Sequence, residues 1–435
     1  MKKLIASVGL AAIGASSLNA QFTPSVTPAE MAKPWSLAAT LRGFYDDNPL
    51  TLPNGPAKRS SYGLEVAPLV ALNATMNNTT VNLSYIFDLK WFEQINDTQT
   101  SHQFNMGLTQ NFSERYSLKV NDSFVVAQQP TVIDTAITSS PLYTTGDNIH
   151  NNGMISFNAV LNQNLDGVLS YNNNLYNYQQ TFGDVYNPNT AALNPSRSAL
   201  LDRMEQLATA SLRWKAMSDL TLAGGYTYGH TGYTSSEPII FSPAVPETLG
   251  NPLNTPSNIR DNDSHYVFVE ADEQFTGTLN GTIRAGGQYL NYYQVGQNTL
   301  GPYVDASLTW TYMAGSYAQG GVKHQHSATD VVGGVPGPNG PTLDAETTAA
   351  YLSVNQQISG GFTGGLLGQF QHSAFNGGTV NGHSEDFFIL GLNFAYKFTE
   401  YLNAETGYNW YKLVSDISGR DYTENVVYVG LRAAY

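Results

Sequence analysis

The chain has 435 residues and a mass of 47.2 kDa; 41 % of the residues are hydrophobic and only 12 % charged, with 27 Tyr, 19 Phe and 5 Trp. Charge this sparse is about half the usual soluble share, and so many aromatic residues exclude an unfolded chain. Cysteine is absent, which excludes disulfides and thiolate metal centres. The formal charge is −14; without Lys2 and Lys3, 34 acidic residues face 18 basic ones, or −16. That sign argues against nucleic acid as a partner and favours cations or uncharged solutes.

Met1-Lys2-Lys3, the apolar run Leu4 to Ala15 and the polar stretch Ser16 to Ala20 predict a signal peptide over residues 1–20. Residues 21–33 follow as a short periplasmic segment. Elsewhere no run is long and apolar enough for a transmembrane helix. An exported chain held in a bilayer without helices must close its strands into a barrel, because lipid cannot satisfy an open backbone edge.

The strand signal begins at Trp35, where Leu37, Ala39 and Leu41 alternate with Ser36, Thr40 and Arg42. It is clearest over Val81 to Trp91: Val81, Leu83, Tyr85, Phe87, Leu89 and Trp91 share one face, and Asn82, Ser84, Asp88 and Lys90 the other. A period of two is a strand with one apolar and one polar face. Tyr116 to Asn121, Leu220 to Tyr228, Phe388 to Phe398 and Leu402 to Trp410 repeat it. Such runs predict about 18 strands, centred near Thr40, Ala67, Tyr85, Met106, Asn121, Phe157, Tyr171, Ala208, Gly224, Val269, Ile283, Leu308, Gly320, Val354, Leu366, Leu392, Gly407 and Val429. Tight turns are expected near Met76, Ser113, Asn162, Met217, Thr276, Gly315, Ser359 and Thr399. They alternate with longer loops at 47–60, 92–101, 128–149, 179–199, 231–263, 294–301, 327–346, 373–384 and 413–422. Short periplasmic turns and long outer loops are the signature of a transmembrane antiparallel β-barrel, here over residues 34–435. A soluble exported sandwich or propeller shares the period of two, but its polar face should be charged and its connectors mixed.

Trp35, Trp91, Trp214, Trp310 and Trp410 fall near strand ends on the apolar face, as interfacial girdles require. The chain ends Val427, Val429, Leu431, Ala433, Tyr435, an alternation closed by an aromatic residue. This resembles the signal read by the barrel-assembly machinery, an expected partner beside outer-membrane lipid and lipopolysaccharide. A homo-oligomer is left open.

A barrel of 16–18 strands is wide enough for water. Passive diffusion of small hydrophilic solutes is therefore the expected function, cation-preferring or for neutral solutes such as saccharides. The pore-lining candidates are Arg42, Glu65, Lys119, Arg203, Glu205, Glu270, Arg284, Asp305 and Glu405, with Arg213 and Arg432. Arg42–Glu65 and Glu270–Arg284–Asp305 are read either as cross-strand pairs holding the wall or as charges setting a field at a constriction. Asp134 and Asp147 in loop 128–149, and Arg260, Asp261 and Asp263 in loop 231–263, are the constriction candidates. Phe44, Tyr176, Tyr178, Tyr292, Tyr303, Tyr351 and Tyr428 are expected inside, where they either stack on sugars or pack beneath loops. His324 and His326 share a strand face but are too few ligands for a metal site, so no metal or cofactor is expected. Asp46-Asp47-Asn48 and Asp261-Asn262-Asp263 place oxygens at the outer rim, where they either meet bridging divalent cations or serve turns. No Ser–His–acid motif announces a hydrolase, so no enzyme is expected. The alternative function is a non-conducting structural or adhesive barrel, or one associated with exopolysaccharide export.

The all-strand exported chain, Phe44-Tyr45-Asp46-Asp47-Asn48 in the first strand and loop, and the aromatic C-terminus resemble the putative beta-barrel porin family. The resemblance implies a porin-like outer-membrane channel without catalytic residues. Some members of that family accompany exopolysaccharide export systems.

Overall fold

The computed structural model describes residues 26–127, 146–185, 195–241, 254–333 and 340–435. Eighteen strands form one antiparallel sheet: β1 (Trp35–Asp46), β2 (Ser61–Met76), β3 (Thr79–Phe92), β4 (Asp97–Asn111), β5 (Tyr116–Ala127), β6 (Asn148–Asn162), β7 (Leu165–Tyr178), β8 (Arg203–Lys215), β9 (Leu220–Tyr233), β10 (Asn262–Glu273), β11 (Leu279–Tyr292), β12 (Gln297–Met313), β13 (Ser316–Ser327), β14 (Thr342–Ser359), β15 (Phe362–Gly377), β16 (Ser384–Lys397), β17 (Leu402–Ser415) and β18 (Tyr422–Ala434). Each strand pairs with the next, and β1 pairs with β18 from Ala38↔Ala434 to Asp46↔Val426, which closes the barrel. All eighteen expected centres fall inside these strands. The predicted signal peptide lies outside the described residues.

The period of two sorts the wall into two surfaces. On β1, Trp35, Leu37 and Leu41 are exposed outwards while Ser36, Thr40, Arg42 and Asp46 are buried inside. The outer surface is apolar: Leu64, Leu83, Ile155, Leu212, Val269, Leu308, Leu352 and Val429 all stand exposed. At the turn side Trp35 packs on the terminal Tyr435 with ring centroids 5.3 Å apart, and Tyr401 follows at 5.9 Å. With Trp214 and Trp310 they form the lower aromatic girdle.

All eight tight turns sit where expected, but two predicted outer loops are not loops. Between β3 and β4 only 93–96 remain, and between β11 and β12 only 293–296. Asn96 and Gly296, both at positive φ, complete these turns. Ile95 folds onto Phe44, Phe92 and Tyr428, and Val295 onto Leu290, Tyr292 and Leu343. The ladder continues above the apolar band, through residues such as Thr98 and Asn298 that no longer alternate.

Among the described residues, parts of three outer connectors turn inwards. Helix α1 (Pro28–Met31) precedes β1, and α2 (Phe182–Val185) and α3 (Arg197–Leu201) lie between β7 and β8. A short ladder, Pro238–Ile240 with Thr255–Pro256, forms in the β9–β10 connector. Ala199 of α3, Ile239 and Ile240 make a buried apolar cluster with Leu200, Ile259 and Val332. Three connectors therefore share one small core in the outer mouth. At the opposite mouth Glu30 of α1 accepts Arg432 Nη2 at 2.7 and 2.8 Å, and Val26 packs on Ala38, Leu69, Ala71 and Ile86 of the inner wall.

Candidate functional site: the lumen wall

Strands in such barrels tilt by ~35–45°, so a row of paired residues climbs the wall as it crosses successive strands. One row runs Glu405, Gly430, Arg42, Glu65, Lys90, Gln99, from low on β17 to the top of β4. Its charges alternate in sign. Arg42 Nε donates to Glu405 Oε1 at 2.5 Å and Nη1 approaches Glu65 Oε2 at 3.3 Å, while the guanidinium lies 4.6 Å from the Tyr428 ring. Gly430 makes this reach possible, because a Cβ there would stand 2.6 Å from Arg42 Cγ. Arg42, Glu65, Lys90 and Gln99 are all buried.

A second row climbs from Asp166 low on β7 through Arg213, Ala223, Glu270, Arg284 and Asp305 to Lys323. It alternates in the same way. Arg284 Nε donates to Glu270 Oε2 at 2.6 Å, and Arg213 pairs with Asp272. Arg42–Glu65 and Glu270–Arg284 are in contact across adjacent strands.

The third row carries almost no charge. It starts at Ser36 on β1 and passes Ala71, Ser84, Asn105, Ser123, Asn152, Asn174, Glu205 and Thr231 to Asn262 at the upper end of β10. Asn105 Nδ2 donates to Ser84 Oγ at 3.2 Å, and Ser123 Oγ donates to Asn105 Oδ1 at 2.9 Å. Asn152 donates to Asn174, which donates to Glu205 at 3.4 Å. From Ser84 to Asn152 the row is only half-buried. Lys119 lies on the same inner face of β5.

At the outer mouth Arg203 and Arg260 are buried side chains with a shared task. Arg203 Nη1 donates to Leu201 O at 3.1 Å; Arg260 Nη2 donates to Leu200 O at 2.6 Å and Ala199 O at 3.3 Å, and its Nη1 to Thr329 O at 3.2 Å. The Ala199, Leu200 and Leu201 carbonyls end α3, where a helix lacks internal donors, and Thr329 lies in the connector after β13. Arg203 also pairs with Glu205 at 2.7 Å and lies 3.8 Å over Tyr176, while Arg260 lies 4.0 Å over Tyr233. Burial lowers the Arg260 pKa and raises that of Asp202, whose carboxylate receives Tyr178 N and Ser198 Oγ. Arg420 adds a third clamp, reaching Asp330 at 3.1 Å and Glu385 at 2.5 Å.

These positions sort the sequence candidates. Of loop 231–263, the described residues 234–241 and 254–261 pack inside the outer mouth, where Ile239, Ile240 and Ile259 share the apolar cluster and Arg260 anchors them. Asp261 accepts Tyr233 N at 2.7 Å at the rim. Asp263 belongs to β10 and faces outwards, beside His230 and Tyr228, because its parity is opposite to that of the buried Asn262 and Ser264. It is not a constriction residue. Asp147 is exposed at the rim, and Asp134 lies outside the described residues. Phe44, Tyr176, Tyr178, Tyr292, Tyr303 and Tyr428 are buried inside, several under connectors: Tyr176 and Tyr178 against Leu201, Tyr292 against Leu343.

His324 and His326 engage different acids, Glu346 at 3.2 Å and Asp344 at 2.9 Å. Above Val304↔His324 the β12–β13 ladder stops, and the Gln288 side chain pairs with the backbone N–H and C=O of His326 instead. A cleft of about 60 Å³ opens there, lined by Glu205, Tyr266, Gln288, Tyr292 and Asp344 among others. The rim motif is committed internally: Asp47 receives Asn425 and Lys58, and Asn48 bridges Leu52 and Thr423. The sequence reads 179–199 only as a loop and gives no sign of the roles of α3, Glu30 and Arg420, since polar connectors carry no periodic signal for the side they fold towards.

Part of the chain is similar to a known family. Residues 252–435 match the family model of putative beta-barrel porin 2. Among solved structures, the chain is similar to the outer membrane protein opdK from Pseudomonas aeruginosa (10 % identity, 92 % of this chain and 99 % of that one, TM-score 0.43). It is also similar to OccK9 (OpdG) from the same organism (10 %, 93 % and 100 %, 0.45) and to a mutant of its ferric enterobactin receptor PfeA (9 %, 92 % and 80 %, 0.43). No curated protein matches.

Proposed function

We propose that this is a porin-like diffusion channel of the bacterial outer membrane, preferring neutral polar solutes such as saccharides. The closed barrel with its polar inner wall and apolar outer wall supports a water-filled passage. The ascending row of carboxamides and hydroxyls carries the solute preference. Ser84, Asn105, Ser123 and Asn152 offer donors and acceptors without net charge, matched to a polyhydroxylated solute that exchanges hydrogen bonds with water. Both charged rows cancel within themselves: Glu405 and Glu65 against Arg42 and Lys90, and Asp166, Glu270 and Asp305 against Arg213, Arg284 and Lys323. The acidic excess therefore gives only a weak preference for cations.

The test is single-channel recording of refolded protein in a planar bilayer under a KCl gradient, followed by titration with neutral oligosaccharides. Stable steps with a small cation-biased reversal potential and reversible sugar block are expected. Anion selectivity would overturn the charge reading, and absence of block across a sugar panel the solute reading. A second reading, a barrel closed by its inner connectors, rests on the apolar cluster of Ala199, Ile239 and Ile240 in the outer mouth. Silence from folded, inserted protein would favour it.

A further inference from the structure

Among the described residues, the outer wall carries one carboxylate in mid-strand, well below the upper strand ends. Asp122 is paired with Met106 on β4 and Gly153 on β6, and Met106 is exposed on the outer surface. Its carboxylate therefore points out of the barrel, not into it. Asp122 Oδ1 accepts Asn151 Nδ2 at 3.0 Å and lies 3.2 Å from where a Cβ on Gly153 would stand. Gly153 is paired in turn with Asn173 on β7, on the same outer face.

The depth of this patch makes it unusual. Tyr116, at the lower end of β5, stacks on Phe157 at 6.0 Å within the lower aromatic zone. Asp122 stands roughly 15 Å above that level, given ~3.3 Å per residue and a tilt of ~35–45°. An apolar band ~25 Å tall thus has this carboxylate near its middle. Val120 below and Phe124 above continue the same outer face. Asp263, Glu346 and Asp386 also face outwards, but they stand towards the upper strand ends, each beside a histidine.

Acyl chains offer no hydrogen bonds, and an ionisable side chain at this depth is retained where protein covers it. We infer that the Asp122–Asn151–Asn173 patch is a subunit interface, and that its occupant is a second copy of this chain. The patch is self-complementary: the Asn151 and Asn173 amide groups carry donors, and Asp122 and the Asn151 carbonyl oxygen supply acceptors. Symmetry-related copies can satisfy one another with these groups. Gly153 at its centre lets the partner's wall approach closely.

Native mass spectrometry of the full chain in mild detergent and in lipid nanodiscs tests this, with heat-modifiable gel mobility as the check on barrel folding. Wild type is expected as a multi-copy assembly. Asp122→Leu should release single, folded barrels, and Asp122→Asn, which keeps the hydrogen bonds, should stay assembled. If Asp122→Leu does not fold, Asn173→Leu serves in its place. A single-copy wild type, or a leucine variant that folds and stays assembled, would overturn the proposal. Neither outcome depends on whether the barrel conducts.

Discussion

Two stretches of the same inner wall solve opposite problems. Across β17 to β4, full charges are buried and cancel against their neighbours; across β3 to β8, neutral amides stand half-open to the lumen. Glu65 has no exposed surface, so its charge is available to Arg42 and Lys90 rather than to a passing solute. Asn105 and Asn152 bond to neighbours yet keep surface for other partners. The charged row holds the wall, and under the proposed function the neutral row is the one that meets a solute.

Breaking the charged row should produce the largest effect. Arg42→Met leaves the buried Glu65 and the nearby Glu405 without their shared cation, an expected loss of ~3–5 kcal/mol. A lowered thermal midpoint in detergent would show it. Replacing all three partners by apolar residues of similar size should recover most of that loss.

The next largest effect is expected at Arg260. Arg260→Ala removes donors to Ala199, Leu200 and Thr329, an expected net loss of ~1.5–3 kcal/mol. Connectors 179–202 and 234–261 should become open to proteases while the barrel stays intact, and single-channel conductance should rise. Unchanged conductance would mean that these connectors do not narrow the path.

At the opposite mouth, Glu30→Gln weakens the hold of α1 on Arg432, at a cost of ~1–3 kcal/mol, read by thermal unfolding. The smallest effect on stability belongs to the neutral row. Asn105→Leu combined with Asn152→Leu should leave the thermal midpoint nearly unchanged. It should weaken oligosaccharide block roughly tenfold, or ~1.4 kcal/mol. A large loss of stability there, with block unaffected, would reverse the comparison.

How far the sequence discloses this depends on what each residue faces. Val81 to Trp91 announces its strand because lipid and water impose opposite demands on successive side chains. Arg42–Glu65 and Glu270–Arg284 were legible as neighbours once adjacent strands were assigned. The strand ends above lipid were not: Asp97, Thr98 and Asn298 lie between water on both sides, so nothing forces alternation although the ladder persists. Rows such as Ser84–Asn105–Ser123–Asn152 require register, which polar residues on successive strands do not reveal. The inward turn of α3 depends on Arg203 and Arg260 finding the same carbonyls, a coincidence of tertiary position. Asp263 failed for a simpler reason: one residue of parity separates the lumen from the outside.

Gly430 has a consequence for assembly order. Arg42 on the first strand reaches Glu405 on the seventeenth only by crossing the last strand at this residue. The contact cannot exist until both ends of the chain have met. Barrel closure is thus the event that brings Glu405 to Arg42, which Glu65 on the neighbouring strand can meet beforehand, and an open sheet would leave Glu405 without this partner. A bulkier residue at 430 would slow the final step of insertion even where the finished wall could accommodate it.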